Sequence, residues 1–184
     1  MSAHFDVSKI SFFGLDDWTV AVCAWRGCCI EVFARAEHSV ADCLKALEKT
    51  GVTLCKDARS PAAITRLRAL NSCIARHDFG HHGARAQTRI ADWGRVYETR
   101  AFLAHGIVKA TRNGIVIQHR TFDAKGEKRL PPRQITRLSM LEMLAELEEA
   151  QSRLHQQLGH IKAIAAKMKP VTKSKEPGPG SSPG

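Results

Sequence analysis

Val96-Tyr97-Glu98-Thr99-Arg100-Ala101-Phe102-Leu103-Ala104-His105-Gly106 puts a charge where a helix would bury hydrocarbon. At about 3.6 residues per turn, Trp93, Val96, Leu103 and Ile107 fall on one stripe, and Arg100 lies in its middle. A guanidinium keeps its charge in a protein interior, so at that position it needs an acid or an anionic ligand. His105 comes five residues later, roughly 140° around the helix and directly before Gly106. Glu98 shares the face of His105, about two turns earlier. A fixed cation, a titratable imidazole and a helix end therefore coincide, which marks a candidate site.

The chain on either side reads as helical support. The motif helix is expected over about 84–104, with Ile90, Trp93, Val96 and Leu103 inward and Arg85, Arg89 and Arg95 outward. Ahead of it, Ser60-Pro61 reads as a helix start, Ile64, Leu67, Leu70 and Ile74 as its buried stripe, and Gly80 as its stop. Between them and the motif, His77-Asp78-Phe79-Gly80-His81-His82-Gly83 suggests a polar loop rather than a zinc site, because Gly80 interrupts the helical spacing of the histidines and no paired cysteines accompany them. Over about 20–49, Cys23, Ile30, Phe33, Val40, Leu44 and Leu47 recur at steps of three and four. This predicts one long helix, or two nearly collinear ones bent near Gly27 or Ser39. Glu37 sits between Phe33 and Val40, as misplaced on its stripe as Arg100 is on its own. The two charges are expected to pair, the alternative being a Glu37 that reaches solvent at a bend near Ser39.

After Gly106 the pattern changes. β-Branched runs flank Asn113-Gly114, which predicts a hairpin over about 107–122, followed by a polar loop over 123–132. Ser139 and Glu142 match a capping box for a last helix carrying Leu141, Leu144, Leu154, Leu158 and Ile161. The expected architecture is an all-α bundle over 18–166 with a short β-hairpin inserted before the last helix. An N-terminal extension covers 1–17, and 167–184 form a basic, then Pro/Gly/Ser-rich tail expected to be disordered.

The chain has 184 residues and a formal net charge of +10. That size suits one domain with tails, and that charge favours an acidic partner, nucleic acid first. Between 109 and 137 there are eight Lys or Arg against Asp123 and Glu127. Lys109, Arg112, Arg120, Lys128 and Arg129 are the candidate RNA-binding residues there, the alternative being a solvated hairpin and loop. No apolar run approaches the roughly 20 residues of a membrane span, and the start lacks a basic-then-apolar signal segment, so a cytoplasmic protein with no membrane partner is expected. The six cysteines lack zinc-ribbon spacing; they read as reduced thiols, with Cys23, Cys28, Cys29 and Cys43 as small buried residues. No internal repeat, P-loop or dinucleotide glycine motif is present.

Arg100-Ala101-Phe102-Leu103-Ala104-His105-Gly106 resembles the signature of the HEPN domain families, an arginine followed four to six residues later by a histidine, often ending in His-Gly. The resemblance implies a helical bundle, a homodimer that faces two copies of the motif across its axis, and metal-independent endoribonuclease activity without a cofactor. Toxin or defence roles, with an antitoxin protein as partner, belong to the same expectation. Arg100 and His105 would be the catalytic residues, with Tyr97, Glu98 and Glu37 in support. Other members lack catalysis and serve as nucleic-acid-binding or dimerisation modules. This alternative gains from Ala101, which stands where the family commonly has a polar residue.

Overall fold

The computed structural model describes residues 16–123 and 126–168, with the backbone alone over 121–129. Of the expected N-terminal extension (1–17) and tail (167–184), 1–15 and 169–184 lie outside the described residues, while Asp16 and Asp17 cap and open the first helix. The described chain is mostly helical. It comprises α1 (Asp17–Lys49), α2 (Ala63–Arg76), α3 (His81–Tyr97), α4 (Arg100–His105) and α5 (Arg137–Ala165), with β1 (Ile107–Thr111), β2 (Gly114–Gln118), β3 (Arg120–Asp123), β4 (Gly126–Arg129) and β5 (Arg133–Thr136) between α4 and α5. No described helix is long and apolar enough to cross a membrane.

The long first helix is continuous through both proposed bend points. Asp16 caps it, accepting from the Thr19 amide at 2.9 Å. Ser39 lies inside it, where its hydroxyl donates back to the Arg35 carbonyl at 2.9 Å and meets His155 Nδ1 of α5, also at 2.9 Å. The buried stripe is broader than the sequence suggested, running through Val22, Trp25, Cys29, Val32, Phe33 and Ala36 to Leu47, because α1 packs on α5, α2 and α4 at once. Cys23 and Cys28 are exposed, against expectation, while Cys29 and Cys43 are buried. Burial pushes both buried thiols up to about 12. Trp25 ties α1 to α5 by donating Nε1–H to the Met140 carbonyl at 2.7 Å.

Other boundaries shift for local reasons. Ser60-Pro61 precedes α2 without capping it; Ala62 holds the cap position, and Ser60 Oγ accepts from the Ala62 amide at 3.2 Å. The second helix stops at Arg76, and Gly80 opens α3 instead of ending α2. His81 and His82 therefore belong to a helix, not a loop. Their rings lie 4.0 Å apart, tilted by 37°, and His82 stacks on His160 of α5 at 4.6 Å. Among the described residues no group of three ligating side chains is placed to hold a metal ion. Burial, then the neighbouring His81, His160 and Arg85, hold His82 below the ordinary imidazole value. The last helix is capped by Thr136, whose Oγ1 accepts from the Ser139 amide at 3.1 Å, so the cap lies three residues before the expected one. Leu141, expected in the core, is 67% exposed.

The expected hairpin over 107–122 is larger and differently paired. β1 and β2 are antiparallel, with Thr111 opposite Gly114, and β5 joins the free edge of β2 to make a three-stranded sheet in the order β1-β2-β5. The region expected as a loop contributes a second hairpin, β3-β4, in place of irregular backbone. Ile115 and Ile117, both 1% exposed, anchor the first sheet on the bundle. Gly114 is forced by this packing: its φ is 152°, and a Cβ would lie 2.0 Å from the Ile135 carbonyl oxygen. Gly114→Ala is expected to destabilise the protein by about 1–3 kcal/mol, seen as a lowered thermal midpoint; an unchanged midpoint would contradict the β2-β5 register.

Candidate functional site

The continuous motif helix expected over 84–104 is broken. At Glu98 and Thr99 the backbone tightens: the Thr99 amide donates to the Val96 carbonyl at 3.1 Å and the Thr99 hydroxyl donates to the same oxygen at 2.7 Å. Such back-bonding by a Thr hydroxyl bends a helix. The six residues after it, α4, form a separate short helix carrying both Arg100 and His105.

Arg100 meets Glu37. Its Nε lies 2.6 Å from Glu37 Oε1, with the side chains 32% and 20% exposed. The contact is an ion pair by distance, but the Nε–H is not aligned into a hydrogen bond. Both charges are thus half-buried rather than in the core proper. Tyr97 completes the arrangement. Its hydroxyl donates to the same Glu37 oxygen at 3.2 Å, and its ring lies 5.7 Å from the Arg100 guanidinium carbon. Burial, then the nearby Glu37 carboxylate, push the Tyr97 phenol above its ordinary value. Phe33, edge-on to Tyr97 at 5.9 Å and tilted against Trp93 at 5.6 Å, fixes that ring from below. The Nη nitrogens of Arg100 have no hydrogen-bond acceptor among the described residues.

In front of this pair a cleft of about 660 Å³ opens between α2, α3 and α4. Tyr97, Glu98, Arg100 and His105 all line it, and so does Ala101. His105 is exposed. The far wall comes from α2, where Arg68, Asn71 and Ser72 bring a second cation, an amide and a hydroxyl that the sequence reading missed. They share one helix face at steps of three and four, a signal visible in the sequence but without meaning until α2 and α4 are placed together. Gly94 and Ala101, with little or no side chain, leave the space open.

A fourth missed residue, Arg26, holds α4 in place. Arg26 of α1 donates Nε–H to the Leu103 carbonyl at 2.5 Å, and its Nη2 donates to Ala104 at 3.0 Å and Gly106 at 3.2 Å. These are carbonyls at the end of a helix, which lack intrahelical partners. Gly106 is needed for close approach rather than for a left-handed turn. Its φ is −71°, and a Cβ would come within 2.4 Å of both Ile117 Cγ2 and the Phe102 carbonyl. Arg26→Ala is expected to destabilise the protein by about 1–3 kcal/mol and to speed amide exchange in α4 selectively, measured by hydrogen exchange; protection equal to wild type in α4 would remove Arg26 from this role.

The predicted basic surface does not join the cleft. Lys109, Arg112 and Arg120 are exposed but are not among its lining residues, and the side chains of Lys128 and Arg129 lie outside the described ones. Two further arginines of the cluster sit on aromatic rings, Arg133 over Phe102 at 3.7 Å and Arg137 over Trp18 at 3.9 Å. The members of that cluster with described side chains, Lys109, Arg112, Arg120, Arg133 and Arg137, are therefore divided among strands, a turn and ring-stacking positions. The cations in the cleft are Arg68 and Arg100.

No family model, curated protein or solved structure matches the chain.

Proposed function

We propose that the chain is a metal-independent endoribonuclease of the HEPN type that acts as a homodimer. The observation that carries this reading is the shared cleft, into which a held guanidinium and an exposed imidazole both open. In the proposed reaction the RNA 2'-hydroxyl attacks the adjacent phosphorus. The new 2'-O–P bond forms as the P–O5' bond breaks, leaving a 2',3'-cyclic phosphate and a 5'-hydroxyl. His105 takes the 2'-hydroxyl proton, and the guanidinium of Arg100 stabilises the charge that grows on the phosphorane oxygens. The leaving 5'-oxygen needs a proton, and a second copy related by a two-fold axis supplies another His105 as the acid. Tyr97 and Glu37 orient Arg100 from behind. A toxin or defence role opposed by an antitoxin protein fits the same chemistry.

A second reading has its own observation. Ala101 puts a methyl in the cleft wall, and the Glu37 carboxylate already neutralises Arg100. A catalytically silent module that binds RNA or pairs with another chain follows from those two facts. The test is cleavage of a mixed RNA pool by the purified protein in EDTA. Products ending in 2',3'-cyclic phosphate support the enzyme, and retention of RNA without cleavage supports the module.

A further inference from the structure

We infer that the cleft contains a nucleobase subsite, in which a flat ring lies against α3 over Gly94 while Arg68 and Arg100 hold the attached phosphate. The inference rests on the reading of the cleft as an RNA site and names what that site takes, an unpaired nucleotide.

Gly94 is the starting observation. Glycine in a helix interior is less favourable than alanine, so a helical glycine usually has a reason. Neither structural reason applies here: Gly94 is not among the positive-φ glycines, and a Cβ added to it would meet nothing within 4 Å. Gly27 and Gly159 are equally open, but neither lines this cleft. At Gly94 the missing side chain leaves α3 backbone bare in the cleft, whose lining also includes the apolar Ile64, Leu67 and Ile90. A bare phosphate has no use for an apolar wall of that kind. The face of a heterocycle does.

Asn71 is the second, independent observation. It lines the same cleft, and its Oδ1 is buried with no hydrogen-bond partner, an arrangement that is destabilising unless something completes it. In the proposed complex the Asn71 amide turns about χ2 to meet the ring over Gly94. An amide offers a donor and an acceptor side by side, which matches the paired donor and acceptor on a base edge. A base held in this way has left its stack and its pairing partner, so the RNA source is single-stranded.

The subsite is tested by equilibrium binding to the full chain, which does not depend on turnover. The probes are the four nucleoside 5'-monophosphates, ribose 5-phosphate as the base-free control, and an unpaired pentanucleotide. At least one monophosphate is expected to bind roughly tenfold more tightly than ribose 5-phosphate. Gly94→Val, which fills the space, and Asn71→Leu should each remove that preference while leaving ribose 5-phosphate affinity unchanged. Gly94→Ala should raise the thermal midpoint by roughly 2–4 °C while weakening the same monophosphate, an opposition that a purely structural glycine would not produce. Equal binding with and without a base, or a Gly94→Val protein that keeps the preference, overturns the subsite. Affinity for the pentanucleotide no higher than for the monophosphate overturns RNA as the source. Cleavage is scored separately in the EDTA assay, so loss of the ribonuclease reading is distinguishable from loss of the subsite.

Discussion

His105→Ala is expected to lower RNA cleavage by roughly 10²–10⁴-fold while leaving the thermal midpoint where it was. The two halves of this expectation come from the same geometry. His105 is exposed at the end of α4, and among the described residues no hydrogen bond to it is found, so its removal leaves no buried group unsatisfied. The end of α4 is secured by Arg26 through backbone carbonyls, which the substitution does not touch. In the proposed mechanism this exposed cleft-lining imidazole transfers the proton. The check is an initial-rate comparison on one RNA substrate in EDTA, with the circular dichroism melt recorded on the same preparations. Wild-type and variant rates within a factor of about three, both above a no-protein control, would falsify the assignment of His105 as acid or base.

What the sequence disclosed about this site depended on how local the cause was. Glu37 and Arg100 were legible because each broke a hydrophobic period, and two such violations in one chain compensate each other most cheaply by meeting. Gly106 was legible as a helix end, but its reason was not: the close approach of Ile117 comes from the sheet that follows. Arg26 gave no signal, since an arginine on a helix flank is ordinary until the end of another helix lies beside it. Arg68, Asn71 and Ser72 were silent for the same reason. The fifth strand was hidden because Arg133–Thr136 is too short to show alternation, and becomes a strand only through pairing with β2. Charge counting misled most. Lys109, Arg112 and Arg120 are neighbours in a tally but not in the cleft, and Arg133 and Arg137 are spent on aromatic faces. Net charge does not locate a site.

Arg100→Ala is expected to reduce cleavage by roughly 10²–10³-fold, and unlike the histidine change it should also destabilise the fold. Removing the guanidinium leaves the Glu37 carboxylate, only 20% exposed, facing Tyr97 without its cation. Full burial would put that penalty near 3–5 kcal/mol, and an exposed pair would contribute at most about 1 kcal/mol; the partial exposure of both side chains places the expectation at roughly 1–3 kcal/mol. Glu37→Gln separates the two functions of the pair. The amide keeps an acceptor for the Tyr97 hydroxyl and stays neutral when unpaired, so stability should fall less than in Arg100→Ala. Arg100, no longer neutralised from behind, would keep its charge but lose its orientation, and cleavage should fall by roughly tenfold. The double variant should then cleave no more slowly than Arg100→Ala alone, because Glu37 acts on the reaction only through Arg100. Independent, additive losses in the double variant would mean that Glu37 acts by another route. Full cleavage activity in Arg100→Ala, with the variant folded, would show that the ion pair is structural, and the second reading, a silent module, would take its place.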